Sequence, residues 1–199
     1  LKSNDVFEEA FIFATNGTGL STEWSKSIVN ECNKIKREIS SKDINSRKDL
    51  RSLNFVTIDG SNAKDFDDAV YAEESSDGFL LHVAIADVSE YVLQDSSLDK
   101  EALSRATSVY FEKKVIPMLP ELISNKLCSL RPNEDKLVLT CEIYLDKEGE
   151  IKSYEFFNSV ICSKNRLTYD EVEKFYQKGH AALSDNIVSN LSTLKKIHA

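Results

Sequence analysis

Apolar residues recur along this chain either three to four positions apart or in short β-rich runs, and the two patterns predict different elements. From Ser21 to Ile39, Trp24, Ile28, Cys32, Ile35 and Ile39 keep the helical interval, which predicts a helix with one buried stripe. A charged connector from Ser40 to Arg51 follows. Strands are predicted over 53–58, 68–73 and 79–86, the last two separated by the turn signal Ser75-Ser76-Asp77-Gly78. Leu98, Ala102 and Leu103 share one side of a helix over 97–107 that Ser96 or Ser97 can cap. Pro117 and Pro120 exclude a central strand, and a short helix is predicted over 121–128.

The runs Leu137 to Leu145 and Ile151 to Ile161, joined by Asp146-Lys147-Glu148-Gly149, predict a long hairpin. The capping box Thr168-x-x-Glu171 opens a helix to about Gln177. Leu183, Ile187, Val188, Leu191, Leu194 and Ile197 mark a final amphipathic helix. Residues 1–20 carry Phe7, Phe11, Ile12 and Phe13 before the turn-rich Asn16-Gly17-Thr18-Gly19, and are expected to be a linker or the remnant of a preceding domain. The pattern predicts an α+β fold, an antiparallel-leaning mixed sheet flanked by helices, without internal repeats or low-complexity segments.

Composition bounds this picture. With 199 residues and 41% hydrophobic content the chain can bury one sizeable core, and it has no run long and apolar enough to span a bilayer. No secretory signal is visible in these residues, so a cytoplasmic location is expected. Cys32, Cys128, Cys141 and Cys162 are too widely spaced for a metal-type pair and are read as reduced, buried thiols. His82 lies in a strand-like run and is expected in the core or sheet, not at a catalytic centre.

The candidate chemistry begins where the strand 53–58 ends. Asp59, Asp65, Asp67 and Asp68 fall within ten residues. Such carboxylates raise one another's pKa unless positive charge lies among them. Gly60 permits a sharp turn that lets Asp65 face Asp59; alternation along an extended backbone points Asp65 and Asp67 together and Asp68 away, unless a kink turns all four inward. Oxygen ligands without His or Cys favour Mg²⁺ or Mn²⁺, and a pair of such ions implies phosphodiester chemistry. An EF-hand fits poorly, because counting from Asp59 puts Ala63 and Lys64 where an oxygen ligand and glycine are needed. Residue chemistry alone leaves a ligand-free acidic loop as the alternative. Phe66 within the cluster and Ala69-Val70-Tyr71-Ala72 after it argue for burial instead.

Several strings carry a resemblance: Val56-Thr57-Ile58-Asp59-Gly60, Asp65-Phe66-Asp67-Asp68-Ala69, Val83-Ala84-Ile85-Ala86-Asp87-Val88-Ser89, Ile116-Pro117-Met118-Leu119-Pro120 and Leu127-Cys128-Ser129-Leu130. In this order and spacing, over about Leu50 to Tyr169, the chain closely resembles the nuclease domain of the ribonuclease II and ribonuclease R family. Thr107-Ser108-Val109-Tyr110-Phe111 makes it more similar to the ribonuclease R branch. The resemblance implies a processive, Mg²⁺-dependent 3′-to-5′ exoribonuclease, Mn²⁺ substituting, that takes single-stranded RNA 3′ ends and releases nucleoside 5′-monophosphates. It places Asp59, Asp65, Asp67 and Asp68 on the family's catalytic, metal-holding set, with Asp67 on the aspartate most closely tied to cleavage. Tyr110 falls on the tyrosine that stacks on the terminal base; without the family it reads as a half-buried helix-end tyrosine.

The resemblance also implies that residues 21–199 are the N-terminal part of the nuclease domain. The family's domain runs on past this length, and OB-type barrels flank it. This chain alone is therefore expected to be weakly active or inactive. The competing reading is a non-catalytic RNA-binding or scaffolding relative of the same fold, against which all four aspartates stand in place.

The net charge of −8 opposes phosphate binding. Its distribution softens the objection: residues 1–99 hold 10 basic and 19 acidic side chains, residues 100–199 hold 15 and 14. Candidates for a basic RNA path are Arg105, Lys113, Arg131 and Arg166, with Lys64, Lys114 and Lys126, each equally readable as a solvated surface charge.

Overall fold

A computed structural model describes residues 3–18, 21–111, 114–179 and 183–199, the side chains of 3–5 excepted. A seven-stranded sheet forms the frame, in the order β1-β8-β7-β4-β3-β2-β9. Its strands are β1 (Lys48–Asp49), β2 (Val56–Asp59), β3 (Asp68–Ser75), β4 (Gly78–Ala86), β7 (Asp135–Asp146), β8 (Ile151–Cys162) and β9 (Asn165–Thr168). The interior pairs are antiparallel, whereas β1 on β8 and β9 on β2 are parallel. Antiparallel-leaning and mixed, flanked by helices, this is the α+β architecture that the hydrophobic pattern predicts. A separate ribbon pairs β5 (Val109–Tyr110) with β6 (Val115–Ile116).

The helices are α1 (Ser3–Thr15), α2 (Lys26–Lys34), α3 (Ser41–Asn45), α4 (Ser97–Arg105), α5 (Tyr169–Lys178) and α6 (Asp185–His198), with a π-helical turn at Ile123–Leu127. One sheet face, with Phe55, Ala69, Ala84, Val138 and Ile161, packs against Ile28 and Cys32 of α2, Leu98 of α4 and the segment Leu119 to Leu130. On the other face Val56 and Leu167 meet Val172 of α5 and Ile187 and Leu191 of α6. No helix among the described residues is long and apolar enough to cross a membrane.

Local chemistry fixes the turns. Gly78 has φ +154°, and a Cβ there would fall 2.0 Å from the Leu145 carbonyl oxygen, so only glycine fits where β4 meets the end of β7. Asn190 of α6, 1% exposed, accepts from the Ala72 amide at 2.9 Å and donates to the Asn54 carbonyl at 2.9 Å. It thereby satisfies backbone groups of β3 and of the approach to β2, and pins α6 to the strands that bear the aspartates.

Three expectations need correction. The helix expected over 21–39 is confined to α2, because the Ser25 side chain caps it by accepting from the Ile28 amide and Ile35 is already extended. Trp24 lies outside the helix with the Arg105 guanidinium over its ring at 3.8 Å, so the three-to-four spacing continued past the helix at both ends. The connector 40–51 contains α3, closed by a Ser40–Asp43 capping box, and β1, both too short to leave a periodic signal. The helix over 97–107 stops at Arg105 because Ala106 turns to φ +62°. Strand β9 occupies residues to which the sequence pattern assigns no element. The stretch read as a linker or the remnant of a preceding domain contains α1, where Phe7 and Phe11 are stacked one helical turn apart and buried Phe11 meets Phe111 at 4.8 Å. His82 is buried as expected, its Nε2 2.8 Å from Glu142 Oε2.

Replacing Asn190 with alanine leaves the Ala72 amide and Asn54 carbonyl without these partners. The expected loss is about 1–3 kcal/mol, read as a lower urea midpoint at unchanged m.

Candidate active site

The register Val56 with Val70 sets the end of β2 beside the start of β3, so Asp59 and Asp68 terminate neighbouring strands. Between them runs the irregular segment 60–67. Asp59 is 9% exposed and its Oδ2 is buried without a hydrogen-bond partner; Thr57 Oγ1, on the same strand, has none either. Burial pushes the Asp59 carboxyl upward, and the charges of Asp68 and Asp67 add to the shift, against opposition from the nearby Thr57 hydroxyl and Arg166. Asp68 is open to solvent on one side yet crowded by protein on the other, and this desolvation, reinforced by the Asp67 charge, raises its carboxyl too. The Asp67 carbonyl accepts from the Ala86 amide at 2.9 Å, which anchors the end of the segment to β4.

Asp65 takes a different partner: its Oδ2 accepts from the Tyr110 hydroxyl at 3.0 Å. Tyr110 is 65% exposed at the end of β5, so its ring face is open while its hydroxyl is tied to the acidic segment. Partial burial, then the bond to Asp65, raises its pKa. The half-buried helix-end tyrosine readable from sequence is instead an exposed strand residue.

Two side chains outside the acidic run hold its backbone. Ser129, fully buried, accepts from the Phe66 amide at 3.2 Å and donates to the Lys64 carbonyl at 2.9 Å, while the Leu130 amide donates to the Phe66 carbonyl at 2.7 Å. Arg166, level with Thr57 across the parallel β2–β9 pair, donates from Nη2 to the Gly60 and Ser61 carbonyls at 2.7 and 2.8 Å. Sequence reasoning gave Ser129 no role, although a lone hydroxyl between Cys128 and Leu130 in an apolar run is itself a sign of a buried, bonded serine.

The remaining basic candidates lie as follows. Arg105 is built into a joint: its Nε meets Glu101 at 2.8 Å, Nη1 donates to the Ser21 and Pro117 carbonyls, and Nη2 donates to the Glu23 carbonyl. Arg131 donates to the Asn125 carbonyl. Lys114 pairs with Glu8 at 2.6 Å. Lys64 and Lys126 are exposed, and Lys113 lies outside the described residues.

The residues suit a hard divalent cation in chemistry. A buried carboxylate oxygen without a well-formed hydrogen bond, beside two further carboxylates and offset by the Thr57 hydroxyl and the Arg166 charge, is an anionic site with oxygen donors alone. The arrangement is open, for among the described residues no three His, Cys, Asp or Glu side chains are gathered into a metal-holding group. The kink that would turn all four aspartates inward is not complete, since Asp65 is turned to Tyr110.

The RNB domain family model matches residues 47–199. Ribonuclease R of Acidithiobacillus ferrooxidans is 44% identical over 186 residues, 94% of this chain and 42% of that protein. Among solved structures, Mycoplasma genitalium RNase R in complex with double-stranded RNA superimposes with a TM-score of 0.88 at 33% identity, covering 98% of this chain and 34% of that one. The same enzyme in complex with ribose methylated single-stranded RNA gives 0.84 at 36% identity, covering 89% and 28%. The chain thus spans less than half the length of these relatives.

Two outcomes follow from this geometry. A carboxyl held above its ordinary value of 3.8 in the fold binds its proton more tightly folded than unfolded, so its contribution to stability is fully present below 3.8 and lost as pH rises through the raised value. In chelator, Asp59→Asn and Asp68→Asn are therefore expected to raise the melting temperature at neutral pH, with the gain vanishing below 3.8. Ser129→Ala, which removes both of its bonds to the acidic segment, is expected to cost about 1–3 kcal/mol in urea unfolding.

Proposed function

The chain belongs to the RNB domain family, and on that premise we propose that it carries the acidic, metal-holding centre of a processive 3′-to-5′ exoribonuclease. The carrying observation is Asp59: buried, one oxygen unpartnered, and flanked by Asp67 and Asp68. Ligand-free acidic loops keep their carboxylates in water; Asp67 and Asp68 are exposed in that way, whereas Asp59 is withdrawn from it. Asp59, Asp65, Asp67 and Asp68 are the residues that would hold Mg²⁺, or Mn²⁺ in its place. When bound, such ions supply an activated water and charge stabilisation at the leaving oxygen of a phosphodiester.

The chain's own residues supply position. The exposed ring of Tyr110 offers a stacking surface that accepts any base, and its hydroxyl bond to Asp65 keeps that surface beside the carboxylates. A 3′-terminal nucleotide stacked there would present its phosphodiester to the acidic segment, which suits removal of one nucleoside 5′-monophosphate at a time. Ser129 and the β4 contact of Asp67 hold the segment's backbone, so the carboxylates need little reorganisation on binding. RNA as substrate accords with the RNA-bound relatives.

Calorimetric titration of the chain with Mn²⁺ tests the metal assignment: binding is expected for the unmodified chain and loss of binding for Asp59→Asn. In a full-length RNB-family chain carrying this segment, Asp67→Asn is expected to lower release of nucleoside 5′-monophosphates from a short single-stranded RNA by roughly a thousand-fold, several kcal/mol of transition-state stabilisation, while RNA binding persists. An unchanged rate in Asp67→Asn would remove that residue from the reaction.

A further inference from the structure

Gly60 follows Asp59 directly, and a glycine with open space around it does nothing by itself to fix the direction in which the chain leaves that carboxylate. Ser61 and Asn62 are exposed, and the local bond there runs from the Ala63 amide to the Gly60 carbonyl at 3.1 Å. The direction is set from another strand. Arg166 Nη2 holds both the Gly60 and Ser61 carbonyls, and the guanidinium carbon lies 5.5 Å from the centre of the Phe66 ring, at the far end of the same segment. One planar group thus touches both ends of the loop between Asp59 and Asp67, and its base is fixed by four residues of parallel pairing between β2 and β9.

An arginine disposed in this way is a poor candidate for gripping phosphate. Bidentate recognition needs two free, outward nitrogens, whereas here Nη2 is committed to two carbonyls and Nε, though without a partner of its own, is buried, which leaves Nη1 alone to meet an anion. We propose that Arg166 is a positioning residue: it clamps the turn after Asp59 and so aims the Asp59 carboxylate, and it is not a contact to RNA. Its positive charge also opposes the crowding of Asp59 by Asp67 and Asp68. The clamp itself stands on geometry alone; the aim it gives Asp59 rests on the metal reading above. Residues that orient metal ligands without touching the ion typically change affinity about 10–100-fold when removed.

Hydrogen exchange on the chain in chelator tests the clamp without any metal. Arg166→Ala is expected to speed exchange at the Ala63 and Phe66 amides, while Val83 and Val138 within the sheet keep their protection. Unchanged exchange at Ala63 and Phe66 overturns the proposal. Should the alanine variant unfold, Arg166→Lys, with a compact ammonium in place of the fork, carries the same readout with a smaller change. Mn²⁺ titration then tests the aim: Arg166→Ala is expected to weaken binding by at least about ten-fold, Arg166→Lys by less, with RNA affinity in chelator unchanged. Equal Mn²⁺ affinity in Arg166→Ala overturns the positioning role. A fall in RNA affinity without faster loop exchange would make Arg166 an RNA contact and also overturn it. If the unmodified chain binds no Mn²⁺, the metal reading falls and the aim with it, and the exchange data still report separately whether the clamp exists.

Discussion

Asp59 is nine-tenths withdrawn from water with one carboxylate oxygen lacking a well-formed hydrogen bond, and its nearest electrostatic neighbours include two more carboxylates. Leaving a buried polar atom unsatisfied costs about 1–3 kcal/mol, and more when it is charged. A fold that tolerates this must hold the group from the backbone, since the side chain would otherwise relax towards solvent. The surrounding structure does so. Strand β2 is fully buried at Val56 and Thr57, paired on both sides, and covered by α5 and α6 on one face.

The same constraint explains why elements distant in sequence converge on the segment 60–67. Ser129 comes from the irregular stretch after the π-helical turn, Arg166 from β9, and the Ala86 amide from the end of β4. Each spends a donor or acceptor on main-chain groups that an irregular segment cannot satisfy by itself. The segment is therefore a loop by conformation but not by mobility of attachment. It has fixed points at Gly60, Ser61, Lys64, Phe66 and Asp67, between which the aspartate side chains project.

How much of this is legible in the sequence depends on the range of the interaction. The β3–β4 turn, the long hairpin and the Thr168 capping box are local, and their predicted positions lie within a few residues of those observed. The aspartate cluster is local as well, and so stands out as a string. Strand β9 is not: four residues between a long strand and a helix carry no period, and they become a strand only because β2 has a free edge to offer them. The bond from Tyr110 to Asp65 spans 45 residues and that from Ser129 to Phe66 spans 63, so neither leaves a trace in the local spacing. The helix overextended to 21–39 shows the converse error. Trp24 and Ile35 pack on the same core as α2 without belonging to it, and so extend its apparent period.

The basic residues show a deeper limit. Sequence records that an arginine is present but not which acceptor its guanidinium finds. Arg47 is spent on Asp87 and Glu90, Arg51 on Asp49 and Asp135, and Arg105, Arg131 and Arg166 donate to backbone carbonyls. An arginine that donates to a carbonyl keeps its charge but surrenders the free fork that phosphate recognition uses. At the acidic segment itself the positive groups are Arg166, bound to backbone carbonyls, and the exposed Lys64, in a chain that is already net −8. A polyanion approaching this end of the sheet meets carboxylates whose repulsion Arg166 only partly offsets. Positive charge from outside the polypeptide, held by the same carboxylates, would resolve both problems at once: the buried oxygen of Asp59 would gain a partner, and the approaching phosphate would gain a counter-charge. That convergence is the physical argument for the proposed pairing of the acidic set with a hard divalent cation.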